Sequence, residues 1–476
     1  MAKYIKIDEQ SSFLLVAICI SLLTLSNGFY LFLPVLLIYV ILYLLQQPFK
    51  PGIFSLIALQ HFLQIAAGVW LCNYLNKDIN YNTDSRSTAI VASSIGLCFL
   101  LAPIIYYQNK IPPQTRGSLA RYVSNFSIQK VMYLYIVSFF IAAFLGSIAF
   151  VFGGFTQIIF SLVKIKWIFF LLFGYMCFLK KERLNLFYLF IALEFFNGFL
   201  GFFSDFKTVV FFVIVLLISL LDKLDFKQIF IVVVLSVLLG TFGLVWTNIK
   251  GDYRSFLTGG EKSQSVSVER GAAVDKLIDL SGNVKSESLD ESVVAMLDRI
   301  QYTYHFAKTI DRMPSVLPFE NGDNWLLSLQ FTTTPRFLNP DKPSYDATEK
   351  TKKYTGIRYS GRKEGVSFSL GYFPDCFIDF GIYGMMIMLF AIGMMYMVIY
   401  SYLLRKSSSN LVFNYAVVGA FFLEFNALEM DSTYFLGRLF ASLVTFFFLI
   451  QFIFPWVIQF ITINKEKKET SYFLAQ

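Results

Sequence analysis

Twelve apolar runs recur along the chain, at about 12–25, 27–46, 53–75, 88–107, 131–152, 166–179, 184–203, 206–221, 228–248, 376–403, 411–428 and 436–461. Most reach the roughly 17–25 residues needed to cross a bilayer as a helix. The first and sixth are short for a full crossing, and the stretch opening "GGFTQIIFSLVKIK" after Val151-Phe152 has room for a re-entrant segment. Between runs nine and ten the pattern changes to a long polar stretch, 249–375. The pattern therefore predicts an all-α polytopic membrane protein of about twelve spans with one large loop. Its parts are a bundle over 1–248, the loop over 249–375, and three further spans with a tail over 376–476.

Within the loop, "SLDESVVAMLDRIQYTYHFAKTIDRMP" reads as one amphipathic helix. Ser288 and Glu291 have the spacing of a capping box. Val293, Leu297, Ile300 and Tyr304 recur at helical spacing, and Pro314 ends the pattern. The preceding Ser/Gly/charge-rich part, about 258–287, reads as a mobile connection. "FTTTPRFLNPDKPSYD" follows (331–346), in which Pro335, Pro340 and Pro343 fix φ and restrict their predecessors. It reads as an ordered, extended turn presenting Arg336 and Lys342.

Composition agrees: 56% of the 476 residues are hydrophobic and 15% charged, against roughly 25% charged in soluble domains, and mean hydropathy is +0.60. Lysine and arginine placement sets the expected orientation. With a cytoplasmic N-terminus, 17 cations fall on the inner connections and tails and six on the short outer ones: Lys77, Arg86, Lys164, Lys166, Lys207 and Arg438. Both termini are then cytoplasmic and the loop extracytoplasmic. The net charge of +8 is a topology signal rather than a nucleic-acid footprint, so no nucleic-acid partner is expected. The loop balances 17 basic against 17 acidic residues. The start "MAKYIKIDEQ" lacks the marks of a cleavable signal peptide. Five scattered cysteines and two histidines offer no metal-ligand spacing, so neither a metal nor a cofactor is expected.

Candidate chemistry lies on the outer side. Arg299, His305 and Arg312 belong to the amphipathic helix, and Arg358, Arg362 and Lys363 cluster before the chain re-enters the membrane. Cations held on a stiff backbone suit a phosphate or pyrophosphate. Glu194 and Glu424 fall inside spans, where charge is costly. Asp375, Asp379, Glu429, Asp431, Lys207 and Arg438 stand at the membrane edge. Together they suggest one polar cavity at that face.

Several of these stretches, "DRI" before a proline-ended helix, "PRFLNPDKP", "GYFPDCFIDFGIYG", the Phe-Lys opening span eight and "MDSTYFLGRLF" entering span twelve, resemble the Wzy-type repeat-unit polymerases of O-antigen and capsule synthesis. The likeness runs from about span seven to span twelve. It implies a GT-C-like fold in the bacterial inner membrane and an inverting, metal-independent glycosyl transfer. The donor would be a growing glycan on undecaprenyl pyrophosphate and the acceptor a lipid-linked repeat unit, with membrane lipid and a chain-length regulator as further partners. Arg299, Arg336 and Lys342 fall on the family's motif positions, Lys207 matches its basic residue at a span start, and Arg254 and Arg438 match more loosely. The acceptor hydroxyl needs a base within hydrogen-bond reach. His305, Asp375, Glu429 and Asp431 are all candidates, and sequence does not choose among them. Two other classes share parts of the pattern. A ligase moving finished glycan from the same donor differs only in acceptor, whereas a flippase for lipid-linked sugars commonly carries internal repeats, and no such repeat is evident.

Overall fold

A computed structural model of the chain describes residues 6–7, 9–149, 155–199, 206–260, 267–283, 287–334, 339, 341–342, 345–359 and 368–463. The described part of each expected apolar run is largely helical. The first part of the chain forms α1 (Glu9–Leu22), α2 (Gly28–Leu45), α3 (Ile53–Tyr74), α4 (Arg86–Gln108), a short α5 (Arg116–Ser124), α6 (Ile128–Ile148), α7 (Thr156–Val163) and α8 (Ile165–Lys180). Then come α9 (Leu184–Asn197), α10 (Phe206–Ser219) and the long α11 (Phe226–Leu257). The loop contributes α12 (Arg270–Gly282), α13 (Glu287–Ile300), α14 (Thr303–Arg312), α15 (Asp323–Thr333) and α16 (Ala347–Thr355). The chain closes with α17 (Tyr372–Lys406), α18 (Leu411–Phe422) and α19 (Ser432–Phe448), which runs through a π turn into α20 (Phe454–Ile461).

Among the described residues, seven helical stretches are long and apolar enough to cross a membrane: Gly28–Leu45, Ile53–Tyr74, Arg86–Gln108, Ile128–Ile148, Thr156–Lys180, Tyr372–Lys406 and Ser432–Ile461. The chain is thus a helical, multi-pass membrane protein. Leu184–Asn197, Phe206–Ser219 and Leu411–Phe425 are shorter apolar helices. The stretch after Phe155 is not a separate re-entrant piece; α7 and α8 join at Lys164 into one apolar length of 25 residues.

Contacts between connections sort into two faces. On one, Lys6–Ile7 pairs in parallel with Lys223–Leu224, Lys50 closes the end of α4 by donating to the Gln108 and Ile111 carbonyls (2.6 and 2.8 Å), and Phe126 bridges Thr462. On the other, Asn27 donates to Asn73 and to the Lys77 carbonyl, and Tyr74 donates to Asp290 of α13.

The loop departs from its expected form in two ways. The Ser/Gly-rich connection contains α12, whose Ala273 packs with Tyr253 and Leu257 of α11. The single amphipathic helix is two, α13 and α14, and α13 begins at Glu287, so Ser288 lies in its first turn rather than at its cap. The break falls where the Tyr302 N–H turns from its own helix to the Gln64 carbonyl of α3 (3.1 Å). Since α13 meets α3 at Tyr74 through Asp290 and at Gln64 through Tyr302, it descends ten residues of α3, about 15 Å, into the bundle. Along α14 the chain climbs back, Tyr304 beneath the Arg86 guanidinium and Asp311 accepting from Thr83 (2.7 Å). The boundary expected at 248 falls inside α11, and the one expected at 375 inside α17. The loop is a re-entrant hairpin of α13 and α14 with three further helices, α12, α15 and α16, tied into the bundle.

Gly68 seats the hairpin tip. A Cβ there would collide with the Thr303 hydroxyl and stand 3.0 Å from Gln301 Oε1. Gly68→Val should cost about 1–3 kcal/mol by overpacking. The same change at Gly146 of α6, where nothing lies within 4 Å, should cost little. Thermal unfolding in detergent compares the two, and equal losses would show that the tip does not depend on this seat.

Candidate functional site

Four cations converge on the face that carries the hairpin. Lys250 and Arg254 stand one turn apart on α11, Lys207 opens α10, and Arg299 closes α13. Asn248 of α11 donates to Ser292 of α13 (3.1 Å), which fixes the two helices side by side. Burial, then the charges of Arg299, Arg254 and Lys207, lower the Lys250 ammonium from its ordinary 10.5 to about 8. Burial and Arg299 also lower the Arg254 guanidinium. Lys207 and Arg299 are exposed, and Lys250 and Arg254 half-buried. Burial and neighbouring like charge both disfavour the charged forms here, and a bound anion would offset both.

Gln64, buried within α3, sets a carboxylate beside this cluster. Its backbone carbonyl accepts the Tyr302 N–H, and its side-chain Oε1 accepts the Leu428 N–H (2.7 Å). The turn after Leu428 is held again where Asp431 N–H donates to Ser369 Oγ (3.0 Å). Gly371, at φ +96°, packs its Cα against the Leu428 carbonyl, where a Cβ would meet that oxygen at 2.5 Å. Glu429 is exposed on this fixed turn. Tyr302 feels both sides: burial and the Glu429 charge push its hydroxyl well up, while Arg299 draws it down. The charges of Glu429 and Arg299 are thus both felt at Tyr302.

The other three candidate bases are engaged. His305 is buried, with Nδ1 2.7 Å from the Tyr359 hydroxyl. Burial first, then the Arg86 charge, hold its pKa down at about 4, so the imidazole is neutral near pH 7 and a weak base. Asp375, fully buried, accepts from Lys350 (2.7 Å) and from the Ser432 N–H at the start of α19 (2.6 Å) through Oδ2. Asp431 caps α19 through the Tyr434 N–H (2.9 Å) and accepts from Tyr345 (2.8 Å). Its burial raises its pKa, with Lys350 opposing. One turn beyond Asp375, Asp379 accepts from Asn324 N–H and Trp325 N–H (3.1 and 3.0 Å), capping α15 from a different helix. The two aspartates of "PDCFIDF" hold helix N-termini, where N–H groups and the helix dipole favour a carboxylate.

Three further expected cations, Lys342, Arg358 and Arg438, fall among the described residues. Lys342 donates to the Phe331 and Thr334 carbonyls at the end of α15 and lies 3.7 Å over the Phe331 ring, a helix-closing arrangement. Arg358 is exposed. Arg438 is exposed and reaches Met430 Sδ (3.6 Å). Arg336, Arg362 and Lys363, with Pro335, Pro340 and Pro343, lie outside the described residues. The membrane-embedded charges are paired rather than gathered in one cavity with the cations: Glu424 with Lys164 and Ser442, and Glu194 with Lys166 (2.8 Å) and Tyr135 (2.9 Å).

Sequence reasoning had missed Lys250 and Gln64. The first stands in "NIKGDY" as an ordinary lysine after a span. The second was visible as a polar residue in the apolar run "LQHFLQIAAG", where such residues are costly.

An anion held at the cluster should bind less tightly as Lys250 loses its proton. Protonated below about pH 8 and neutral above it, Lys250 should give about tenfold weaker inorganic pyrophosphate binding at pH 9 than at pH 7. Lys250→Arg should remove most of that difference. An identical pH profile in the arginine variant would exclude Lys250 from the anion site.

These features define a helical membrane protein with a basic cluster and a fixed carboxylate at one face of the bundle. The chain belongs to the family described as "Domain of unknown function (DUF8712)", whose model matches residues 73–428. No curated protein and no solved structure matches the chain. The matched region holds all four converging cations and ends one residue before Glu429.

Proposed function

We propose that the protein is a polysaccharide polymerase that transfers a growing glycan from undecaprenyl pyrophosphate to a lipid-linked repeat unit at the outer face of the bacterial inner membrane. The observation that carries this reading is the convergence of Lys207, Lys250, Arg254 and Arg299 beside the fixed carboxylate of Glu429. In this reading the twelve apolar segments cross the membrane in a GT-C-like arrangement with both termini cytoplasmic, and a chain-length regulator is a further partner.

The acceptor hydroxyl oxygen attacks the anomeric carbon of the donor sugar. The bond from that carbon to the pyrophosphate oxygen breaks, and its electron pair stays with the leaving lipid pyrophosphate. Glu429 takes the hydroxyl proton. The cations stabilise the charge that grows on the leaving group, the kind of preorganised stabilisation that gives the largest single contribution in many enzymes. Inversion at the anomeric carbon follows from a single displacement. The test is the purified chain in vesicles carrying a lipid-pyrophosphate-linked repeat unit, in EDTA. Longer oligomers should form, and Arg299→Ala should slow them about 10²–10³-fold. A wild-type rate in that variant would remove the cluster from the reaction.

A further inference from the structure

Beneath Lys250 and Arg254 of α11, and level with Lys207 of α10, lies a bed of aromatic rings. Phe199, at the end of α9, stacks on Phe206 of α10 at 4.3 Å and 8°. Phe242 and Trp246 of α11 close on the pair edge-on, Trp246 at 5.3 Å from Phe199 and 5.6 Å from Phe206. Tyr253 stands 5.8 Å from Trp246 and donates to the Phe199 carbonyl (3.2 Å).

The bed and the cluster share their elements. Phe206 directly precedes Lys207. On α11, Phe242, Trp246, Lys250 and Arg254 follow at intervals of four, so they form one stripe of the helix with rings below and cations above. The rings therefore begin about 6 Å below Lys250 and continue about 6 Å deeper. Toward the lipid the bed is continuous with Phe195 and then Phe196 (5.8 Å between rings), which is 66% exposed. Phe206, Phe242 and Trp246 are themselves only half-buried.

A site that is cationic at the membrane edge, aromatic one turn deeper and open to lipid fits an amphiphile: an anionic head on an unsaturated apolar tail. We propose that Phe206, Phe242 and Trp246, backed by the buried Phe199, seat the first isoprene units of a polyprenyl pyrophosphate, which enters sideways from the lipid past Phe196. The flat rings offer their faces to the planar double bonds, and the cations take the two phosphates. This rests on reading the basic cluster as the pyrophosphate site, and it adds the tail subsite and the direction of entry.

The experiment measures binding of undecaprenyl pyrophosphate and of inorganic pyrophosphate to the full chain in nanodiscs. Wild-type protein should bind the lipid more tightly than the free anion. Trp246→Ala should weaken the lipid about tenfold and leave inorganic pyrophosphate unchanged, and Trp246→Phe should restore most of the loss. Lys250→Gln should weaken both ligands. Equal loss of both ligands in Trp246→Ala, or no preference of the wild type for the lipid, overturns the inference. If the lipid binds as expected but no polymer forms in vesicles, the tail seat stands and the polymerase reading fails. If polymer forms with unchanged lipid affinity in Trp246→Ala, the polymerase reading stands and the tail seat falls.

Discussion

Glu429→Gln should lower the rate of chain extension about 10²–10⁴-fold, the usual contribution of a positioned general base, while the protein stays folded. The amide keeps the shape of the side chain and loses only its ability to take a proton. Glu429 is exposed, and it is not among the ion pairs or hydrogen bonds that hold the described residues together, so its removal leaves no buried group unmatched. It stands on a turn fixed at Leu428 by Gln64 and at Asp431 by Ser369, and its charge reaches Tyr302. Binding of lipid-linked substrate should be unaffected, because the proposed pyrophosphate contacts are made by the cations and not by Glu429. Single-turnover extension in vesicles, together with donor binding, separates the two effects. A normal rate in Glu429→Gln would pass the role of base to another group, and His305 is then a poor successor because its proton affinity is so low.

The largest loss of stability should come from Asp375→Ala. Removing one partner of a buried ion pair costs about 3–5 kcal/mol, because the other charge is left without compensation. Here the stranded group is Lys350, at 12% side-chain exposure, and the start of α19 loses the acceptor for its Ser432 N–H. The same network joins α16, α17 and α19, so the surface helices of the loop should loosen together. Asp375→Ala combined with Lys350→Met should recover much of the loss, since replacing both members of such a pair by apolar groups is often nearly neutral. If Asp375 were the catalytic base instead, the double variant would be stable and inactive. The present account expects it to be stable and to retain extension. Thermal unfolding and the vesicle assay on the same preparations decide between these outcomes.

The multi-pass helical character was legible in the sequence because a bilayer imposes a length and a hydropathy on every crossing helix, and seven helical stretches among the described residues meet both. The loop was less legible, for reasons visible at particular residues. From Ser288 to Met313 the apolar spacing continues without interruption, so nothing local marks the break at Gln301–Tyr302. That break is made by Gln64, more than two hundred residues away. The roles of the acidic residues were hidden in the same way. Asp375 and Asp379 look like interfacial carboxylates in "PDCFIDF"; they are helix caps because the N-termini of α19 and α15 arrive beside them. Lys207, Arg254 and Arg299 were singled out by their positions, yet only the packing of α10, α11 and α13 brings them together and adds Lys250. Lys342 could equally have been read as a ligand or as a helix-closing lysine, and it closes α15.

The central claim is that this face of the bundle joins lipid-linked repeat units. It is tested most directly in a strain lacking the protein, with surface glycan resolved by size on a gel. The account predicts that the ladder disappears while a single repeat unit still reaches the surface, and that the wild-type chain, but not Glu429→Gln, restores the ladder. A ladder that persists on undecaprenyl pyrophosphate without reaching its final acceptor, or repeat units trapped on the cytoplasmic leaflet, would contradict it.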